Sequence, residues 1–408
     1  MNSTLCIKCK GKGLCGRPRC PILEKFKSLQ SIAPVISGDS VFGASPPALF
    51  VGSYGYPRVS AGPLIPPLAT ENEASFLEEP SAWANMQIED IISMRSRMVR
   101  ANTNLHIKDA RSKENPLLAK AQELALSRKP VDTEAWFFKA PKHELKFDAL
   151  LMPMGPPGLV KNFELTENPN VPRKVDYLVY DTDALAKDAV IELYKGKISA
   201  EYITRLFSIG LLGKERKIVP TRWSITAVDD MAGKELTDRI KDFPLVSDIL
   251  LFSGTHFGNR FEILILPRAY SFELIEIWLP KAIWSGESSW IGEDSEGLYG
   301  KKGYSPLAGG YYASRLAVLE YLTEIRRQAS VFVLREITPD YWAPLGVWVV
   351  REGMRSALRN PPKQFDSLEA AVSDLAGKIS TPKAEWMQKA SMLSDFQFQT
   401  TLDFFLKT

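Results

Sequence analysis

The sequence predicts an α+β protein, a mixed sheet with flanking helices, preceded by a small cysteine module and ended by a flexible tail. Three observations carry that prediction. The 408 residues are 45% apolar and 24% charged, which suits a globular chain with a sizeable core and excludes wholesale disorder. Short runs rich in β-branched and aromatic residues are interspersed with amphipathic helical stripes. Their order does not alternate strictly as strand and helix, so a doubly wound parallel sheet is not expected. Finally, all four cysteines fall within residues 6–20. The expected divisions are 1–22, 23–395 and 396–408, with a candidate sub-boundary in the Pro/Gly run at 152–158.

Within the middle division, residues 31–70 are rich in Ser, Gly and Pro and read as ordered loops around short strands. In 83–100, Ile88, Ile91, Ile92, Met98 and Val99 form a helical stripe with Arg95, Arg97 and Arg100 beside it. Asn115 followed by Pro116 and an apolar-periodic run predicts a second helix. Strands are expected at DYLVYD (176–181), SDILLF (247–252), FEILIL (261–266), FELIEIW (272–278), VFVLRE (331–336) and GVWVVR (346–351). Further helices are expected at 184–195, 198–212, 311–327 and 366–378.

Charge and hydropathy narrow the function classes. The chain carries 51 Lys and Arg against 48 Asp and Glu, a net of +3, which excludes a massively basic nucleic-acid coat. Residues 1–30, however, hold seven basic residues against Glu24 alone, a balance of +6, so the rest of the chain sums to −3. No apolar run approaches the ~18 residues of a membrane span and no signal-peptide core is present, so a soluble cytoplasmic protein with no membrane partner is expected.

The cysteines Cys6, Cys9, Cys15 and Cys20 have the spacing C-x2-C-x5-C-x4-C. A cluster this tight in a reducing compartment asks for a metal rather than disulfides. Four thiolates suit zinc in a closed structural site, and an iron–sulfur cluster is the alternative that takes the same ligands. The same stretch contains GKGLCG (11–16), which fits a dinucleotide fingerprint but lacks the required strand before it and helix after it. Lys8, Lys10, Lys12, Arg17 and Arg19 suit phosphate contacts, or else offset the negative charge of a zinc tetrathiolate.

At the other end, Gln399, Leu402, Phe405 and Leu406 fit the pattern Q-x-x-h-x-x-a-h of the sliding-clamp (PCNA) interaction motif. One helical turn from Leu402 to Phe405 makes a hydrophobic plug, while Gln399 is left to hydrogen-bond separately. Leu406 stands where a second aromatic often sits, so Phe405 is the main anchor. A tail packed on its own domain is the competing reading.

Three interior stretches offer groups for a ligand. GSYGYPR (52–58) supplies Arg58 as an anion fork. PTRWSITAVDD (220–230) supplies Arg222 for phosphate, Trp223 for stacking, and Asp229 and Asp230 as carboxylates on opposite faces if the run is extended. GTHFGNRFEILILP (254–267) supplies His256 and Asn259 beside an apolar strand. Meeting in space, these loops would make a polar pocket for a nucleotide or a strand end. If there is catalysis, Asp229 and Asp230 holding a divalent ion are the candidate catalytic pair.

The cysteine module, PTRWSITAVDD, GGYYASRLAVLEYL (309–322) and the clamp-like tail together resemble the archaeal Nre (NreA-type) DNA repair proteins. The resemblance implies a cytoplasmic repair factor that acts with the sliding clamp and DNA, beside other repair proteins. The family's cysteines match Cys6, Cys9, Cys15 and Cys20, and its clamp motif matches Gln399 to Leu406. No catalytic residue comes with it. The expectation is a DNA repair factor recruited by the clamp, with a zinc module and a core pocket contacting DNA or a nucleotide. The alternative is a divalent-metal nuclease or phosphohydrolase.

Overall fold

The chain first lays down β1 (Ser40–Ser45), β2 (Leu49–Val51) and β3 (Arg58–Ile65), then β4 (Val99–His106), β5 (Val131–Phe137) and β6 (Pro157–Leu165). The computed structural model describes residues 38–112, 114–141 and 154–398, with side chains to 396, and isolated positions between Cys9 and Ile36. Strict alternation makes β5 a half-buried strand: Val131, Thr133, Ala135 and Phe137 turn inward while the residues between them do not. These strands form one sheet in the order β1-β5-β6-β4-β3-β2, antiparallel except where β6 meets β4. The outer edge of β1 is covered by the chain leaving β3. Leu68 N–H donates to the Phe42 carbonyl at 2.9 Å, and Ala44 N–H donates to the Ala69 carbonyl at 3.1 Å. The described part of the Pro/Gly run, 154–158, leads straight into β6 of this sheet.

Between these strands lie α1 (Glu71–Phe76), α2 (Ile88–Ser96) and α3 (Pro116–Leu126). The expected cap of α3 is in place: Asn115 Oδ1 accepts from the backbone of Leu117 and Leu118, each at 3.1 Å. After β6 come α4 (Arg173–Tyr180), α5 (Ala186–Lys195), α6 (Ala200–Ser208) and α7 (Thr221–Ile240). Val175, Leu178, Val190, Leu193, Ile203 and Leu206 complete the first core.

The second sheet contains β7 (Ile249–His256), β8 (Asn259–Leu266), β9 (Ser271–Trp278), β10 (Trp290–Glu296), β11 (Ser330–Ile337) and β12 (Lys363–Phe365). Its order is β10-β9-β11-β8-β7-β12, with β9 and β11 parallel and the other pairs antiparallel. Both faces are covered. Phe261, Ile263 and Ile265 pack on α7, α8 (Ala308–Glu324) and α9 (Trp348–Arg359). Leu264 and Leu266 pack on α10 (Leu368–Ala376), α11 (Lys383–Met387) and α12 (Ser391–Phe398). Buried carboxylates in the strands tie these last helices down. Glu336 accepts from the backbone of Ser380 and Thr381, and Glu273 from the backbone of Ser391 and Met392 at the start of α12. The α+β class with a mixed sheet and flanking helices is therefore observed, realised as two mixed sheets.

Helix α7 passes from one core to the other: Val228 belongs to the first, while Ala232, Leu236 and Ile240 belong to the second. Four local expectations are corrected. The helical stripe expected over 83–100 stops with α2 at Ser96: Met98 lies past its end and Val99 opens β4. DYLVYD is not a strand but part of α4, because its buried residues Val175, Leu178 and Val179 follow a helical i, i+3, i+4 spacing. GVWVVR opens α9, whose buried positions run on to Leu358 and cover several sides of the helix. PTRWSITAVDD is not extended; it forms the first half of α7. No helix among the described residues is long and apolar enough to cross a membrane.

Candidate functional site

The first turn of α7 sits where the two sheets meet. Thr221 Oγ1 accepts from Val51 N–H of β2 at 2.9 Å, which docks the helix start against the first sheet. Arg222 and Trp223 of that turn remain exposed, and the Trp223 ring lies 5.1 Å from the ring of Tyr56. Arg222 meets no carboxylate among the described residues. It lies on the rim between two adjoining cavities, which share Arg222, Gly346 and Val347. Gly346 has φ +102°, a conformation that a side chain would strain, and this lets the chain turn between the two spaces.

The smaller cavity, about 200 Å³, is basic. Arg95, Arg205, Arg222 and Arg351 line it against Glu78 and Glu201, with Phe50 and Trp348 among the apolar walls. Arg95 is buried, pairs with Glu78 and donates to the Leu77 carbonyl at 3.1 Å. Burial draws its pKa down to about 9, and burial likewise draws Arg205 down to about 10. Arg351 donates to Glu201 Oε1 and to both oxygens of Asp229, each at 2.7 Å. Burial opposes its charge, but Asp229 and Glu201 outweigh that and hold Arg351 firmly protonated. The Nε atoms of Arg95 and Arg351 are buried with no partner among the described residues.

The larger cavity, about 730 Å³, is aromatic. Trp278 and Trp284 lie 4.6 Å apart, and Tyr304 and Tyr312 lie 5.5 Å apart. Its floor is a chain of polar groups: Arg335 Nη1 donates to Glu276 Oε1 at 2.5 Å, while Arg335 Nε and Nη2 donate to Asn259 Oδ1 at 3.0 and 2.6 Å. Gly310, in the first turn of α8, makes room for that floor, since a Cβ there would stand 2.7 Å from Glu276 Oε1. Asp230 is neutralised by Arg315 at 2.8 Å and Lys234 at 2.7 Å. Apart from Arg222 on the rim, the charged groups lining this cavity are thus paired, and much of the rest of its wall is aromatic.

The expected ligand residues distribute themselves around this junction. Arg222 and Trp223 line it directly. Arg58 does not; it is exposed at the start of β3, in the same turn as Tyr56. Asn259 lies behind the floor and fixes Arg335. Asp229 is fully buried and Asp230 partly so; being adjacent on a helix, they point to different partners, Arg351 and Arg315. Among the described residues no group of three or more His, Cys, Asp or Glu is placed to hold a metal ion. Cys6 and Cys15 lie outside the described residues, as do Gln399, Leu402, Phe405 and Leu406. Cys9 is buried, and Leu14 N–H donates to its Sγ at 3.3 Å. Cys20 is half-buried, and Arg19 pairs with Glu89 of α2.

His256 is buried behind the basic cavity, its ring 4.3 Å from Phe257 and 6.1 Å from Trp348. Burial pushes its pKa from 6.5 down to about 4, so it is neutral and does not serve as a cation for a ligand. Because the folded value lies below the unfolded one, the unfolded chain takes up the proton first. Stability therefore falls as pH drops from about 6.5 towards about 4 and levels off below that. Urea unfolding at pH 7.5 and pH 5 should register a loss of about 2 kcal/mol from this residue. His256→Phe should remove that loss, since Nε2 has no partner to forfeit among the described residues. An unchanged pH dependence in the variant would refute the assignment.

Arg95, Arg351, Glu276 and Arg335 were not among the expected ligand residues. A signal for them existed: a charged residue inside an otherwise apolar strand or helix stripe, as in FELIEIW and VFVLRE, is costly to bury unless paired.

Comparison with known proteins agrees across the chain. The family model described as archaeal Nre, N-terminal, matches residues 14–285, and archaeal Nre, C-terminal, matches 296–405. The DNA repair protein NreA of Archaeoglobus fulgidus is 42% identical over 404 residues, covering 98% of this chain and 100% of that protein. The DNA repair protein NreB of the same organism is 35% identical over 402 residues, covering 98% and 99%. The DNA repair protein NreA of Haloferax volcanii is 33% identical over 387 residues, covering 92% of each. No solved structure matches. With both family models matched and these identities spanning nearly the full length, the chain belongs to the archaeal Nre family.

Proposed function

We propose that this protein is a cytoplasmic DNA repair factor that binds DNA across the junction of its two sheets and is brought to DNA by the sliding clamp PCNA. The observation that carries the DNA contact is Arg222: exposed, without a carboxylate partner among the described residues, and set between a basic cavity and an aromatic one. Phosphate needs such an uncommitted cation, and bases need flat apolar faces, here offered by Trp223 and Tyr56. The relatives named as DNA repair proteins support the same reading. Gln399, Leu402, Phe405 and Leu406 form the clamp-binding motif. Cys6, Cys9, Cys15 and Cys20 hold a zinc ion, which supplies a structural crosslink for the N-terminal segment and helps set a basic surface towards DNA or another protein.

The test is a titration of the full chain with duplex and single-stranded DNA at several salt concentrations. Affinity should fall steeply as salt rises, because each neutralised phosphate releases a counterion. The double substitution Arg222→Glu with Arg58→Glu should lower the affinity about tenfold or more and flatten the salt slope by roughly one unit for each phosphate no longer neutralised. Binding that is absent, or indifferent to salt, would defeat the proposal.

A further inference from the structure

We infer that the aromatic cavity receives a single nucleobase swung out of its stack, with the attached phosphate held at Arg222; this rests on the reading of DNA as the ligand.

The first argument is size and shape. A cavity of about 730 Å³ lies within the range of roughly 300–1,000 Å³ typical for small-molecule sites, ample for one base with its sugar and far too narrow for a duplex. Its walls are lined by Trp223, Trp278, Trp284, Tyr304 and Tyr312, the kind of aromatic side chains on which a heterocycle stacks.

The second argument is charge. Arg335 is committed to Glu276 and Asn259, and Asp230 to Arg315 and Lys234. Away from Arg222 at the rim, a charged group entering the cavity would therefore find no unpaired opposite charge, whereas a neutral ring needs partners only for its polar edges. One oxygen of the buried Glu276 carboxylate takes Arg335; its other oxygen accepts no hydrogen bond among the described residues and has lone pairs to spare. The amino and ring N–H donors on a base edge are the groups that fit it.

The third argument is the gradient from mouth to floor. Trp223, Trp284 and Tyr304 at the mouth are exposed by 40%, 47% and 65%, while Trp278 and Tyr341 deeper in are almost fully buried. A base leaving its helix would meet exposed stacking partners first and the polar floor last. Arg222 stands at that mouth beside the basic cavity, where the backbone of the same nucleotide would remain.

The experiment uses the full chain and fluorescence anisotropy at one fixed salt concentration. Three labelled duplexes differ at one position only: fully paired, carrying one unpaired base, or carrying an abasic sugar. Free deoxynucleoside monophosphates make a fourth arm. The unpaired-base duplex should bind about tenfold tighter than either other duplex, given the usual worth of one stacked base. The double substitution Trp284→Ala with Tyr304→Ala, at two exposed positions, should bring that ratio close to one, with its thermal midpoint measured alongside. Glu276→Gln should weaken the preference unequally among the four bases. Equal affinity for the unpaired-base and abasic duplexes would overturn the base cavity while leaving DNA binding intact. Nucleotide binding that depends on Trp284 and Tyr304, with no binding of any duplex, would uphold the cavity and overturn the DNA reading. Binding of no probe would overturn both.

Discussion

Replacing Asp229 by alanine should lower the unfolding free energy by about 3–5 kcal/mol, the usual consequence of leaving a buried charge without its partner. Asp229 is 0% exposed, and both of its oxygens accept from Arg351 Nη2 at 2.7 Å. The pair joins α7 to α9 beneath the basic cavity, and Glu201 of α6 completes it from the first half of the chain. Without Asp229 the guanidinium keeps only the half-buried Glu201. Replacing both partners by apolar residues, Asp229→Leu with Arg351→Met, should recover most of the loss, because no charge is then stranded. Urea unfolding followed by circular dichroism decides the matter, and a single-variant loss below about 1 kcal/mol would mean that the Asp229–Arg351 pair does not hold α7 to α9. A corollary concerns catalysis. Any activity lost in an Asp229 variant has to be measured against its folded fraction before it is assigned to chemistry.

On the proposed clamp-binding role of the tail, removing residues 399–408 should cut clamp binding by more than about a hundredfold, since the truncation would delete the motif's three apolar anchors, each worth about 1.5–3 kcal/mol when buried. The same role requires a tail free of the core, so stability should change by no more than about 0.5 kcal/mol. The packing ahead of the cut supports this. Leu393 of α12 is fully buried against the second sheet, the Arg268 guanidinium sits 4.1 Å above the Phe396 ring, and Arg268 Nη2 donates to the Phe396 carbonyl at 3.3 Å. A calorimetric titration of PCNA with the full and truncated chains, beside a thermal melt of each, provides both readouts. A melting point that falls sharply on truncation would favour the packed-tail reading instead.

The sequence made some elements plain and hid others for identifiable reasons. The cap at Asn115 and the Ile88, Ile91 and Ile92 part of the α2 stripe were legible because their chemistry is local, whereas Val99, read into the same stripe, opens β4. Helix α7 was hidden because buried Ser224, Thr226, Asp229, Gly233 and Thr237 are interleaved with its apolar stripe of Val228, Ala232, Leu236 and Ile240, and so mask the pattern. Gly233 is there to admit an arginine: a Cβ at that position would stand 2.8 Å from Arg315 Nη2. GVWVVR misled for the opposite reason, since α9 is apolar on several sides and β-branched residues alone favour a strand.

For the site, Arg222 and Trp223 could be chosen from the chain because an arginine beside a tryptophan suits nucleotide chemistry wherever it lies. Their partners could not. Asp229, Glu276 and Arg335 take their roles from residues 122, 59 and 76 positions away, for example Arg351 opposite Asp229 and Asn259 beneath Arg335. By itself, then, the sequence determined the α+β class, the family likeness and the residue types able to meet a nucleotide, all of which follow from local pattern and composition. The tertiary structure alone decided which carboxylates are spent on arginines, that Arg222 meets none among the described residues, and that two cavities share its rim. Those outcomes depend on pairing across two sheets, and the energy of a buried charge is set by what folding places beside it rather than by its neighbours along the chain.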